Sequence, residues 1–246
     1  MLPPDSDWPK PPARVSLLSG EVHVWRACLQ IDAAEEAHHL KELSPDERQR
    51  AAKYRFEAPR RQFISSRSAL RSILSHYVRK PANKLVFRLG TLGKPRLHPS
   101  GWKPLHFNLS HSRQVALIAV TRCAEIGVDV ERVRELASRD NLAKRYFHKS
   151  EVAALLGLPA EQRAEAFFSA WTRKEAFLKA TGKGISFGID RVAVTLKPGA
   201  SPRVLSIDGD AEAASRWTLE SLTPASEYIG AVAMEGDWQQ IVRFSL

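Results

Sequence analysis

Cysteine is almost missing from this chain. Cys28 and Cys123 are the only two in 246 residues, with no CxxC spacing and no metal-ligand grouping around them. That argues against a disulfide scaffold and a thiolate metal site, and leaves two isolated thiols expected as small core residues in a reducing cytoplasm. Long apolar runs are missing too: the longest, Val115–Val120, is far short of a membrane span. Residues 1–14 are proline-rich, carry Asp5 and Asp7, and lack the apolar stretch of a secretory signal. They read as a flexible N-terminal arm, and no other segment is of low complexity.

Acidic residues are outnumbered. Lys and Arg total 37 against 27 Asp and Glu, a net charge of +10. Such a surface attracts polyanions without saying which: nucleic acid, a multiply phosphorylated cofactor and an acidic protein partner are all allowed. The cations are spread along the chain rather than massed in a tail, so a solvated surface explains most of them. Hydrophobic content of 43% is enough for a substantial core in one large domain or two small ones.

Periodicity gives an α+β reading. Glu21–Leu29 is a strand, and Ser44-Pro45-Asp46-Glu47 starts a helix with a capping serine, proline in the first turn and Glu47 closing the box. Arg60–Val78 places Phe63, Leu70, Ile73, Leu74 and Tyr77 at helical spacing. Short strands follow near Leu85–Arg88, Phe107–Leu109 and Val115–Val120. A second half opens on a strand through Asp129 and continues with helices near 138–147, 150–156 and 161–180. Strands near 192–196, 217–222, 228–233 and 239–244 complete it. Each half runs strand, short helices, one long helix, then strands. The expected division is therefore a 1–14 arm, a 15–123 lobe and a 124–246 lobe.

Two segments carry the chemistry. In Gly127-Val128-Asp129-Val130-Glu131 the valines alternate with the acids, so both carboxylates leave one strand face about 7 Å apart. In Trp171-Thr172-Arg173-Lys174-Glu175-Ala176-Phe177-Leu178-Lys179, Trp171, Glu175 and Lys179 recur every four residues on one helical face. Oxygen ligands of this kind suit Mg²⁺, which takes a few carboxylates together with phosphate oxygens. Taken singly, the acids could be an exposed strand face and Glu175–Lys179 an ordinary i,i+4 pair. Trp171 by itself reads equally well as a core aromatic, and Gly182 as a helix C-cap.

These two segments, with Gly93-Lys94-Pro95, Phe107-Asn108-Leu109-Ser110-His111-Ser112, and Ala143-Lys144-Arg145-Tyr146-Phe147 before Lys149-Ser150-Glu151, resemble the 4′-phosphopantetheinyl transferases of the Sfp type. The resemblance runs in the family's order from about Ser44 to about Ile189. It implies two similar α/β lobes related by a pseudo-two-fold, with CoA in the cleft between them. It also implies a transferase, holo-[acyl-carrier-protein] synthase, that moves 4′-phosphopantetheine from CoA to a serine of an acyl-, peptidyl- or aryl-carrier protein. The by-product is adenosine 3′,5′-bisphosphate. By the same resemblance Asp129, Glu131 and Glu175 hold Mg²⁺ (or Mn²⁺), and Glu175 is a candidate general base. Lys179 faces the phosphate charge, Ser110 and His111 the 3′-phosphate, and Lys94 the adenine or its phosphate. Arg48, Arg50 and Arg61 are further basic CoA contacts. Glu47 departs from the pattern, standing where some relatives carry a phosphate-binding lysine. Lys144, Arg145, Tyr146, Phe147 and Lys149 are a candidate ledge for an acidic carrier domain. A cytoplasmic monomer without nucleic-acid or membrane partners is implied.

Two other classes compete. A metal-dependent phosphoesterase or nuclease could use the same carboxylates, but needs neither the Ser110–His111 segment nor Lys94. A non-catalytic nucleic-acid-binding module would explain the charge alone, yet no concentrated basic helix or aromatic-laced basic strand is present.

Overall fold

The computed structural model describes residues 7–90, 93–98, 104–184 and 187–246. The first six residues of the expected arm, and 185–186 after the Gly182-Lys183-Gly184 segment, lie outside them. In chain order the elements are β1 (Glu21–Cys28), α1 (Ala33–Glu42), α2 (Pro45–Ala52), α3 (Glu57–Val78), β2 (Phe87–Leu89) and β3 (Pro95–Leu97). Next come β4 (His106–Ser112), β5 (Val115–Thr121), β6 (Ile126–Arg132), α4 (Arg139–Tyr146), α5 (Lys149–Leu156) and α6 (Ala160–Thr181). The chain finishes with β7 (Val192–Val194), β8 (Val204–Ile207), α7 (Ala211–Ser215), β9 (Trp217–Leu222), β10 (Tyr228–Glu235) and β11 (Gln240–Ser245). The fold is α+β, and no helix among the described residues is long and apolar enough to cross a membrane.

Two sheets stack between two 22-residue helices, α3 and α6. The first sheet runs β11-β1-β5-β4 and the second β6-β10-β9. One face of the first carries Trp25, Ala27, Ala116, Ile118 and Val120 against Leu70, Ile73 and Leu74 of α3. Its other face carries Val22, Val24, Val115, Leu117 and Ala119 against Ile126, Val128, Val130 and Val232 of the second sheet. The far side of the second sheet, with Ala231 and Ala233, packs on Phe177 and Leu178 of α6. β5 therefore lies between apolar layers on both faces, which is why Val115–Val120 is continuously apolar rather than alternating.

Several buried polar groups of the first lobe are paired, as burial favours. The Tyr77 hydroxyl accepts from Trp25 Nε1 at 2.7 Å and lies 2.8 Å from His23 Nδ1. Glu47, the departure noted above, is buried and joins α2 to α3: Arg67 approaches its Oε1 at 2.5 Å and Arg71 donates to its Oε2. Its Oε2 also accepts Ser44 N at 3.2 Å, the carboxylate half of the expected capping box.

One sequence expectation is corrected, and two ties cross the expected division. Within the expected arm, Trp8 is anchored. That indole is 1% exposed within the inter-sheet core, and its Nε1 donates to Thr223 O at 3.0 Å. The last strand, in the expected 124–246 lobe, joins the first sheet. β11 pairs in parallel with β1, from Glu21↔Gln240 to Arg26↔Ser245, while Ser245 N donates to Pro9 O at 2.8 Å. Phe244 enters the first lobe's core, which adds apolar burial to the strand pairing. Finally, Cys123 is exposed, in the connection between β5 and β6, rather than a core residue, and Cys28 is half-buried.

Candidate active site

The site forms where β6 meets α6, and one glycine sets how closely they meet. A Cβ on Gly127 would stand 1.9 Å from Ala176 O and 2.4 Å from Ala180 N. Only a residue without a side chain lets the strand lie this near the last turns of the helix. Because Val128 and Val130 turn toward the first sheet, Asp129 and Glu131 face the α6 side. The i,i+4 pair Glu175 and Lys179 meets them there.

Asp129 is the centre. It is 4% exposed, and its Oδ1 accepts from Lys179 Nζ at 2.6 Å and from Ser110 Oγ at 2.7 Å. Lys179 Nζ also reaches Ser110 Oγ at 2.9 Å, closing a three-membered ring of contacts. Asp129 Oδ2 is buried with no hydrogen-bond partner. A buried carboxylate oxygen left bare costs free energy unless something else binds it. Glu131 Oε2 accepts from Ser112 Oγ at 2.8 Å. Burial, then the nearby charge of Asp129, raises the pKa of Glu175. Burial is likewise the largest influence raising that of Glu131, with Asp129 adding to it. The three carboxylates thus share one patch of excess negative charge.

Among the described residues, no three or more His, Cys, Asp or Glu side chains are gathered tightly enough to hold one ion together. The charge resting on Asp129 is the Lys179 ammonium. The donor chemistry nonetheless fits a hard divalent cation: a bare buried carboxylate oxygen beside two half-buried carboxylates whose mutual repulsion a cation would relieve.

That repulsion can be measured. The raised Glu175 pKa means that its ionised form is disfavoured in the folded state, a penalty present at pH above the folded pKa. The penalty fades as pH falls through that value toward the unfolded one. Glu175→Gln is therefore expected to raise Tm at pH 8, by an increment that shrinks toward pH 4.5. Thermal melts across that range check it, and an equal increment at both ends contradicts the shared-charge description.

The remaining sequence candidates are distributed unevenly. Ser110 is at the centre, but His111, its strand neighbour, is exposed and points away. Its Nδ1 lies 3.4 Å from the Gln62 amide, and desolvation followed by the Lys179 charge lowers its pKa. Lys94 Nζ is already engaged, with Ile126 O at 2.9 Å, Ala180 O at 3.4 Å and Glu125 Oε2 at 2.8 Å. Arg61 pairs with Glu36 at 3.0 Å and Glu57 at 3.5 Å, beside a cleft of about 1000 Å³ that Gln62, Arg113 and Tyr228 also line. Arg50 is exposed, stacked over Phe63 at 5.1 Å, and opens onto a separate cavity of about 690 Å³ that includes Arg67, Gly93 and Pro95. Of the candidate ledge, Lys144, Arg145 and Lys149 are exposed while Phe147 is buried. Tyr146 and Trp171 belong to one aromatic cluster with Phe147 and Phe167.

Sequence reasoning passed over Asn108, Ser112 and Lys174. Alternation places Asn108, Ser110 and Ser112 on one side of β4, where they mesh with Val128 N, Asp129 and Glu131 in turn. The period-two pattern of the Phe107–Ser112 segment was the available signal. Lys174, next to Glu175, turns to the opposite helix face. It is fully buried and donates to Glu151, whose other oxygen accepts Val194 N at 2.7 Å.

Comparison with known proteins points to one family. Residues 125–233 match a family model described as the 4′-phosphopantetheinyl transferase superfamily, and 30–123 match one for the N-terminal part of a 4′-phosphopantetheinyl transferase. The chain is 39% identical over 236 residues to the 4′-phosphopantetheinyl transferase HetI of a Nostoc species, covering 94% of each. It is 33% identical over 172 residues to the transferase psf-1 of Bacillus pumilus, spanning 68% of this chain and 71% of that one. Against Sfp of Bacillus subtilis it is 26% identical over 166 residues, 68% and 72% of the two.

Proposed function

Since this chain belongs to the 4′-phosphopantetheinyl transferase superfamily, we propose that it transfers the 4′-phosphopantetheine of CoA to a carrier-protein serine in a Mg²⁺-dependent reaction. The observation that carries the reading is the bare, buried Oδ2 of Asp129 beside two carboxylates of raised pKa. Asp129, Glu131 and Glu175 are the residues that would hold the cation. When bound, the cation would neutralise the CoA pyrophosphate and polarise its β-phosphorus.

The chain's own groups account for the rest. The serine hydroxyl of the carrier attacks the β-phosphorus, the bond to the bridging oxygen breaks, and adenosine 3′,5′-bisphosphate leaves. Glu175, whose raised pKa suits it to take up a proton, is the candidate base for that hydroxyl. Lys179 carries a flexible point charge, suited to the phosphate oxygens as negative charge builds on them. Ser110 fixes the Asp129 carboxylate, and Ser112 fixes Glu131. His111, Arg50 and Arg61 are candidate contacts for the 3′-phosphate end of CoA. The exposed cations Lys144, Arg145 and Lys149 suit an acidic carrier domain.

The test is mass spectrometry of apo acyl- and peptidyl-carrier proteins incubated with CoA and Mg²⁺. The expected result is a gain of one phosphopantetheine on the carrier serine, abolished by chelator and restored by Mg²⁺. Cleavage of DNA or RNA with unmodified carriers would instead favour a nuclease.

A further inference from the structure

We infer that Lys94 is a positioning residue that clamps β6 to the C-terminal turn of α6 and so sets the Asp129–Lys179 geometry. The inference rests on the transferase reading above. Lys94 sits at the β2–β3 turn, where Gly93 takes φ +83° and Gly90 N donates to Lys94 O at 2.9 Å. That hairpin packs on the first lobe through Phe87 and Leu97. The side chain crosses to the second lobe, and only 11% of it is exposed.

An ammonium has three N–H donors, and Lys94 Nζ has three acceptors: Ile126 O, Ala180 O and Glu125 Oε2. The two carbonyls are well placed. Ile126 lies three residues before Asp129 on β6, and Ala180 is the residue after Lys179 on α6. One cation thus holds the backbones beside both members of the 2.6 Å Lys179–Asp129 contact. Ala180 O is also among the last four carbonyls of α6, which lack helical partners and favour a positive charge. Glu125 is steadied in turn by Arg96 at 2.8 Å and His106 Nδ1 at 3.2 Å, both from the first lobe. An ammonium so engaged would have to release a partner before binding a CoA phosphate.

Lys94→Met, which keeps the stem and removes the charge, tests this in two ways. In ligand-free protein, hydrogen exchange is expected to rise about 10-fold or more in residues 126–132 and 174–181 while α3 is unchanged. In turnover with CoA and an apo carrier, kcat is expected to fall about 10- to 100-fold, the range for losing a group that orients a site, with little change in the KM for CoA. A raised KM with unaltered kcat and unaltered exchange would overturn the clamp and make Lys94 a CoA contact. Should Lys94→Met fail to fold, Glu125→Gln carries the test: faster exchange in the same two segments supports the clamp, and none opposes it. Wild-type protein that modifies no carrier would defeat the transferase reading, while the exchange arm would still decide the clamp.

Discussion

Asp129→Asn is expected to lower kcat/KM by about a thousandfold or more while the protein still unfolds in one cooperative step. The substitution is nearly isosteric, so the inter-sheet core on Val128 and Val130 is untouched. It removes the one fully buried carboxylate of the site, the acceptor of both Lys179 Nζ and Ser110 Oγ. Losing a single preorganised polar group aimed at developing charge costs about 10²–10³ in rate, and Asp129 is proposed to hold the cation as well as to anchor Lys179. Stability responds to two opposed changes. Repulsion on Glu131 and Glu175 is relieved, while the half-buried Lys179 ammonium loses its counter-charge. Turnover of an apo carrier measured alongside a thermal melt checks the expectation. Near-normal turnover by a well-folded Asp129→Asn protein would remove Asp129 from the reaction.

Gly127→Ala is expected to be nearly as damaging although it adds one methyl group and no charge. The atoms it meets, Ala176 O and Ala180 N, are backbone and cannot rotate aside, so α6 must move off β6 or the strand must bend. Overpacking of this sort costs about 1–3 kcal/mol, sometimes more. The larger consequence is geometric. Glu175 and Lys179 travel with the helix, Asp129 and Glu131 with the strand, and a 1 Å displacement of reacting groups can cost about 10²-fold. Tm and kcat are expected to fall together. Gly157→Ala is the control. It ends α5 at φ −76° with Ala153 O, the nearest atom, 3.4 Å from the added carbon, so it should leave kcat unchanged. Full activity in Gly127→Ala would show that the close approach is dispensable.

What could be read from the chain, and what could not, follows from which interactions are local. β6 was legible because Val128 and Val130 alternate with Asp129 and Glu131, and α6 because Trp171, Glu175 and Lys179 recur every four residues. The strand at 217–222 has the bounds that periodicity gave, and the long helix expected at 161–180 spans Ala160–Thr181 with Gly182 as its C-cap. α1 escaped notice because its sequence is mostly charged and alanine, although Asp32 and Glu35 form a capping box that marks its start. β11 was recognised as a strand, but not its partner: pairing between residues about 220 apart is fixed by tertiary packing, which no local pattern encodes. Lys94 shows the same limit at the site. A motif lysine in a turn looks available for an anion, and only the folded chain reveals three protein acceptors around it. Lys174 and Glu175 are adjacent in sequence with opposite fates, one sealed against Glu151 and the other facing Asp129, because a helix turns successive residues to different sides.

The crossing of β11 has a consequence for how the protein is made. β1 emerges from the ribosome with one lengthwise edge awaiting residues 240–245. At about 5–20 residues per second, that edge stays open for roughly 10–45 s of synthesis. An unpaired strand edge invites pairing with other chains. Nascent polypeptides of this protein therefore pass through an aggregation-prone window that ends when Phe244 reaches the first lobe, and faster elongation or chaperone capture should raise the yield of native molecules.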